Sequence, residues 1–231
     1  MKNITINPEH IREIFNLVNE KFEDGKDQLL SSLQHLLMNI SGIDPSQTGT
    51  PEDAIKKAKD LAFTKHAHQT YGKGDSIVSY SKHLEDVVSV LKRFGYTDEN
   101  YIIAGYLHDS IEDTDVSYND IRSMFGEVVA DMVYCVTDEL GKNRKERKAK
   151  TYAKIAGNRD AIIIKLADRI ANLEYGIKSG SDLVQMYQEE HNDFTDSLYV
   201  AGFATEMWKH LSWIVFNPAW YLANCHDFPQ Y

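Results

Sequence analysis

The stretch that decides the fold is DAIIIKLADRIANLEYGI, residues 160–177. Its first apolar residues, Ala161-Ile162-Ile163-Ile164, are β-branched or small and, taken alone, suit a strand. They lead directly into apolar residues at helical spacing, so the pattern predicts a helix over 160–177 carrying Lys165, Asp168, Arg169 and Asn172. No alternating run elsewhere makes a convincing strand. The fold class expected is therefore all-α.

A second stretch, YIIAGYLHDSIED at 101–113, puts chemistry at the end of such a helix. An apolar run leads to His108-Asp109, and Glu112 and Asp113 follow one turn later. Adjacent side chains on a helix diverge by about 100°, yet both can reach an ion lying between them. A crowded polar cluster beside a core is costly unless it is paired, protonated or bound to a metal. The bland alternative is a capped helix end with its acids in solvent.

Outward from these stretches, other helices announce themselves. Thr50-Pro51-Glu52-Asp53 reads as an N-cap with proline at the first helical position, opening a helix that runs to His66-Ala67-His68-Gln69. Residues 70–80, TYGKGDSIVSY, read as a loop. Ser81-Lys82-His83 opens the next helix, with Leu84, Val87, Val88, Leu91 and Phe94 on one side and Gly95 as its stop. A start near Asp98 leads to His108. Ser117 to Asp120 is a box-like start closed by Gly126, and 127–137 is the most apolar helix. Helices are expected from Ser181 and over 193–215, and an aromatic tail ends without pattern. Upstream, Asn7-Pro8 caps an amphipathic run to Gly25, and a second run ends near Gly42. These are expected to pack on the body or on another copy. The organisation expected is a helical extension over 1–47, a catalytic core over 48–180, and C-terminal helices over 181–231 completing the same domain.

Composition narrows the function classes. The chain has 231 residues, 42% of them hydrophobic, which is ample for a large core. Its net charge of −10 argues against duplex nucleic acid as the main partner, since no global basic field exists to displace counterions. A small anionic ligand stays open, because local cations or a metal can override net charge. Cys135 and Cys225 lie far apart with no metal-like spacing. With no visible signal peptide and no apolar run long enough to span a membrane, a cytoplasmic protein is expected.

Four side chains suit a transition-metal site: His83, His108, Asp109 and Asp168. Two imidazoles and two carboxylates without a thiolate favour hydrolytic manganese or iron over structural zinc. Each residue alone has a bland reading: His83 as a capping residue, Asp168 as an ion-pair partner of Arg169. The basic segment 142–148 can be a solvated face. It can also supply cations to a polyphosphate, with Arg144, Arg147 and Lys148 joined by Lys73 and Lys165, arginine being suited to bidentate phosphate contacts.

At this point the motifs resemble the HD superfamily of metal-dependent phosphohydrolases, and within it the branch that hydrolyses ppGpp and pppGpp. The matching pieces are HAHQ at 66–69, His83 before an apolar helix, LHDSIEDT at 107–114, FGEVVADMV at 125–133, VTDELGKNRKERK at 136–148 and KLADRIANLE at 165–174. The resemblance implies an HD-type helical bundle with His83, His108, Asp109 and Asp168 as metal ligands. It makes Glu112 and Asp113 the acidic pair beside an attacking water, and Asn172 a pocket residue. The cofactor it implies is Mn2+, with Fe2+, Zn2+ and Co2+ as alternatives. The activity it implies is removal of the 3′-pyrophosphate of ppGpp, a small anionic nucleotide; a homo-oligomer is left open. The loop TYGKGDSIVSYSKH departs from the branch, lacking its arginine and prolines where the family holds the guanine base. Two alternatives therefore stand beside the first reading: an HD phosphohydrolase for another nucleotide (a nucleoside phosphate or an NADPH-like substrate), and a nucleotide sensor without turnover.

Overall fold

The structure, a computed structural model, describes residues 50–225. The helices expected upstream of residue 43 and the last residues of the aromatic tail lie outside the described residues. From Pro51 on, the chain forms one compact unit.

Helices α1 (Pro51–Lys65), α2 (Ser81–Arg93) and α3 (Glu99–Leu107) open it. Then come the short α4 (Ser110–Asp113), α5 (Tyr118–Phe125) and α6 (Glu127–Val136). They are followed by α7 (Arg144–Ile155), α8 (Arg159–Ser179), α9 (Leu183–Glu189) and α10 (His191–Leu198). Helices α11 (Thr205–Phe216) and α12 (Pro218–Asn224) end the described chain. Among the described residues no helix is long and apolar enough to cross a membrane.

Helix α8 is the axis of the bundle, packing against α2, α3, α6, α7, α9, α11 and α12. That explains the isoleucine run. Ile162, Ile163, Ile164, Leu166, Ala167 and Ile170 are all buried, on every side of the helix, so the segment reads apolar without a polar face. Asn158 starts it by accepting from the backbone N–H groups of Asp160 and Ala161, and Gly180, at φ 66, ends it.

Helices α2 and α3 meet closely because Gly105 has no side chain. A Cβ there would lie 2.7 Å from Leu91 Cδ1 and 3.2 Å from Val88 Cγ2. The capping box expected at Ser117 and Asp120 is formed.

Four local expectations change. The helix bearing His108 does not run on through Asp113: a turn at His108-Asp109 separates α3 from α4, although the Asp113 N–H still donates to the Asp109 carbonyl at 2.9 Å. Helix α1 stops at Lys65, so His66–His68 form a turn. The loop 70–80 contains an antiparallel ladder between β1 (Thr70–Tyr71) and β2 (Val78–Ser79), pairing Thr70 with Ser79 and Tyr71 with Val78. The helix expected over 193–215 is two helices, because Gly202 (φ 77) and Ala204 (φ 48) turn the chain through the left-handed region.

Candidate functional site

The site gathers residues from α2, the α3–α4 turn and α8. His83 shares the inward stripe of α2 with Val87, one turn on, and is 2% exposed. His108 caps the C-terminal end of α3 and is 1% exposed. Its Nδ1 lies 2.8 Å from the Gly105 carbonyl, and a donor there leaves Nε2 as the nitrogen facing the site. Asp168 projects from the middle of α8.

The donor atoms converge. His83 Nε2 and His108 Nε2 are 3.2 Å apart. Asp168 Oδ1 lies 3.5 Å from His83 Nε2 and 3.8 Å from His108 Nε2. His83, His108 and Asp168 each offer a ligand atom within 4.8 Å of the others, a group that could hold a metal ion. Asp109 is outside that mutual set, but its Oδ2 lies 2.9 Å from His108 Nε2 and 3.6 Å from His83 Nε2. The chemistry fits a dication. Two nitrogens bound to one ion at roughly 2.1 Å sit roughly 3.0–3.4 Å apart at octahedral to tetrahedral angles, and the set is N2O2 without thiolate.

Charge in this centre is tightly held. Burial alone raises the Asp168 carboxyl, but Lys165, His83 and His108 outweigh it and hold it well below the usual carboxylate range. Burial likewise raises Asp109, and His108 and His83 outweigh it. Burial lowers the His83 imidazole, but hydrogen bonds with Asp109 and Asp168 lift it to about 9. The two carboxylates thus make a well for positive charge.

Around the donors lies a shell of locks. Lys165 Nζ donates to Asp168 Oδ2 at 2.8 Å, and burial, which lowers its pKa, is outweighed by Asp168. Asn172 Nδ2 donates to Asp168 Oδ1 at 2.5 Å and to the Asp168 carbonyl at 3.0 Å. Tyr80 Oη donates to Asp109 Oδ2 at 2.5 Å, and Tyr71 Oη donates to Asn172 Oδ1 at 2.9 Å. The turn HAHQ supports this shell. His66 stacks on the Tyr80 ring at 4.9 Å, its Nδ1 meets Gln69 Oε1 at 2.7 Å, and Gln69 Nε2 donates to the Asp113 carbonyl at 2.9 Å. The two tyrosines are what sequence reasoning missed. Their only sign was an aromatic at each end of a loop rich in glycine and serine.

The acid pair stands at the rim. Glu112 is solvent-facing, yet burial of its carboxyl, with the nearby charges of Asp138 and Asp109, raises its pKa, while the Asp138 N–H lowers it. That N–H donates to Glu112 Oε2 at 2.8 Å. Burial and then Asp109 raise Asp113.

The five expected cations divide. Lys148 Nζ binds both oxygens of Asp138, at 2.8 and 2.9 Å, and so leads back to Glu112. Burial and the like charge of Lys165 lower its pKa. Arg144 forks onto Glu190, with Nε at 2.5 Å and Nη2 at 3.2 Å. Lys165 belongs to Asp168. Lys73 and Arg147 make no ion pair among the described residues. Arg144 and Lys148 line a cleft of about 560 Å³ whose other wall carries Glu189, Glu190, Asp193 and Asp196.

Comparison with known proteins puts this geometry in context. The family model described as HD domain matches residues 58–195. The guanosine-3′,5′-bis(diphosphate) 3′-pyrophosphohydrolase of Drosophila melanogaster is 34% identical over 125 residues, 53% of this chain and 69% of the relative. The enzyme of the same name from Aquifex aeolicus is 36% identical over 127 residues, 53% of this chain but 18% of the relative. The chain therefore spans under a fifth of the length of that bacterial relative. A solved structure of a metazoan ortholog of SpoT, described as hydrolysing ppGpp, superposes with a TM-score of 0.63 at 27% identity, covering 74% of this chain and 98% of that one.

Proposed function

The chain belongs to the HD-domain family, and we propose that it is a metal-dependent phosphohydrolase that removes the 3′-pyrophosphate of ppGpp, giving GDP and pyrophosphate. The observation that carries the reading is the convergence of His83, His108, Asp109 and Asp168, from three separate segments, beside the acid pair Glu112 and Asp113. The relatives named as guanosine-3′,5′-bis(diphosphate) 3′-pyrophosphohydrolases support the substrate.

His83, His108, Asp109 and Asp168 would hold the ion, with manganese the reading favoured by an oxygen-rich set without thiolate. A bound dication supplies Lewis acidity, making water nucleophilic near neutral pH and offsetting charge on a phosphoryl oxygen. Glu112 accepts the proton of the attacking water. Its raised pKa suits that task, and the Asp138 N–H holds it in one orientation. Lys165 and Asn172 keep the Asp168 carboxylate from turning. Lys73 and Arg147, without carboxylate partners among the described residues, are assigned to the far phosphates. Arg144 and Lys148 add positive potential from within their ion pairs.

One observation favours a second substrate. Tyr71, in the loop that departs from the ppGpp-hydrolysing pattern, is buried and bonded to Asn172. Because this loop departs from the pattern where the family holds the base, another nucleotide is the alternative substrate. A panel of nucleotides incubated with manganese-loaded protein, with products identified by mass, decides between them. GDP and pyrophosphate from ppGpp are expected. Intact ppGpp beside cleavage of another nucleotide leaves the phosphohydrolase and removes the alarmone; no cleavage of any of them removes the enzyme.

A further inference from the structure

The loop from Thr70 to Tyr80 sends two phenol groups into the candidate metal centre. Its ladder is closed by β1 and β2, and the Tyr80 N–H donates to the Gln69 carbonyl at 3.2 Å. Gly72 lets the chain turn at φ 95. A Cβ there would lie 2.5 Å from both the Ser76 carbonyl oxygen and Tyr175 Oη, so no larger residue fits. Tyr175, on α8, donates to that Ser76 carbonyl and so ties the loop to the helix that carries Asp168. The Tyr71 ring packs at 4.3 Å from Tyr175 and at 4.9 Å from His83.

Both hydroxyls then meet a carboxylate network. Tyr80 reaches Asp109 on Oδ2, the oxygen that also faces His108 and His83. Tyr71 reaches Asn172, fixing the amide so that its NH2 faces Asp168. Packing alone needs only the rings, which phenylalanine would supply. The half-buried Tyr80 hydroxyl, aimed at a carboxylate, makes a charge-assisted bond, shorter and stronger than a neutral one, whereas Tyr71 donates to an amide oxygen. Among the described residues Asp109 has no lysine or asparagine lock of the kind Asp168 has, and Tyr80 is its side-chain donor apart from the imidazoles.

We propose that this loop is a clamp for the centre's two carboxylates, with Tyr80 positioning Asp109 directly and Tyr71 positioning Asp168 through Asn172. The proposal rests on the reading of these carboxylates as metal ligands. On this view the segment that departs most from the ppGpp-hydrolysing pattern sets metal affinity as well as substrate choice. Both tyrosines act through other residues.

The test is manganese binding alone, without nucleotide, followed by the electron paramagnetic resonance signal of free Mn2+. Tyr80→Phe and Tyr71→Phe keep the rings and remove only the hydroxyls; circular dichroism checks that each is folded. Each variant is expected to bind manganese about 10–100-fold more weakly, the usual cost of losing an outer-shell partner. The double variant is expected to show roughly the product of the two losses, because they act on different carboxylates. Asp109→Ala is the control for the underlying reading and is expected to lose the metal. Wild-type affinity in both folded Phe variants, with loss in Asp109→Ala, overturns the clamp and leaves the metal centre standing. Stoichiometric manganese in Asp109→Ala overturns both. If one Phe variant fails to fold, the other carries the test by itself.

Discussion

Replacing Glu112 with glutamine separates basicity from shape. Glu112 Oε2 accepts from the Asp138 N–H at 2.8 Å, and a glutamine oxygen can accept the same bond, so the side chain keeps its place. What disappears is the capacity to take a proton. Losing a positioned general base costs on the order of 10²–10⁴-fold in turnover, or about 3–5 kcal/mol of barrier at about 1.4 kcal/mol per factor of ten. Stability moves the other way. Burial and neighbouring acids raise the Glu112 pKa, so the fold disfavours its ionised form and pays a cost above that pKa. Neutral glutamine removes the cost, and the variant should melt no lower than the parent at pH 7. Steady-state release of GDP and pyrophosphate from ppGpp, elemental analysis and thermal melts read the three quantities. The expected result is a large fall in kcat with full metal content and unimpaired melting. Turnover close to the parent's, with metal in place, refutes the proton-accepting role.

Other perturbations bear on other parts of the molecule. Arg147→Glu places a negative charge where, among the described residues, no carboxylate neutralises the arginine, so KM for ppGpp should rise strongly, more at low than at high salt, with metal content unchanged. Glu174 is a buried carboxylate held by Arg93 at 2.5 and 3.2 Å and by His210 at 2.7 Å. Burial raises its pKa, but His210 and Arg93 outweigh it and leave it lowered. Its contribution is therefore present above the ordinary carboxylate pKa and lost as pH falls through the lower folded value. Glu174→Gln should flatten the acid limb of melting temperature against pH. At neutral pH it should cost about 3 kcal/mol, because Arg93 is left unpaired. Gly105→Ala drives a methyl into Leu91 and should destabilise by about 1–3 kcal/mol in urea titration. Because the Gly105 carbonyl anchors His108, manganese binding should weaken too.

Much of the architecture was legible in the chain because the signals are local. Pro51 opens α1, the Ser117–Asp120 box opens α5, and Asp98 starts the helix that delivers His108. Apolar residues at a helical period need only near neighbours to be recognised, and the motif segments carry their own order. So the all-α class and the segments that meet at the site could be read before any contact was known. The breaks could not. The turn at His108-Asp109 and the left-handed Ala204 interrupt patterns that read as continuous, since a helix ends where packing demands it.

Partners were the other thing the sequence left open. The run Arg144 to Lys148 reads as strongly basic, with Glu146 its one acid, but in the fold Arg144 meets Glu190, 46 residues away, and Lys148 meets Asp138, 10 residues away, while Arg147 meets no carboxylate among the described residues. Lys165 reads as one more cation and is instead the partner of Asp168. Tyr80 reads as a loop aromatic and is the donor that holds Asp109, 29 residues further on. By itself the sequence determined which residue types are present and, through the helical period, which of them share a face within one helix. Which charge neutralises which, and which hydroxyl reaches which carboxylate, was decided only when α2, α3 and α8 closed on one another. Pairing energies fall off within a few ångströms, and distances that short between distant segments exist only in the packed structure.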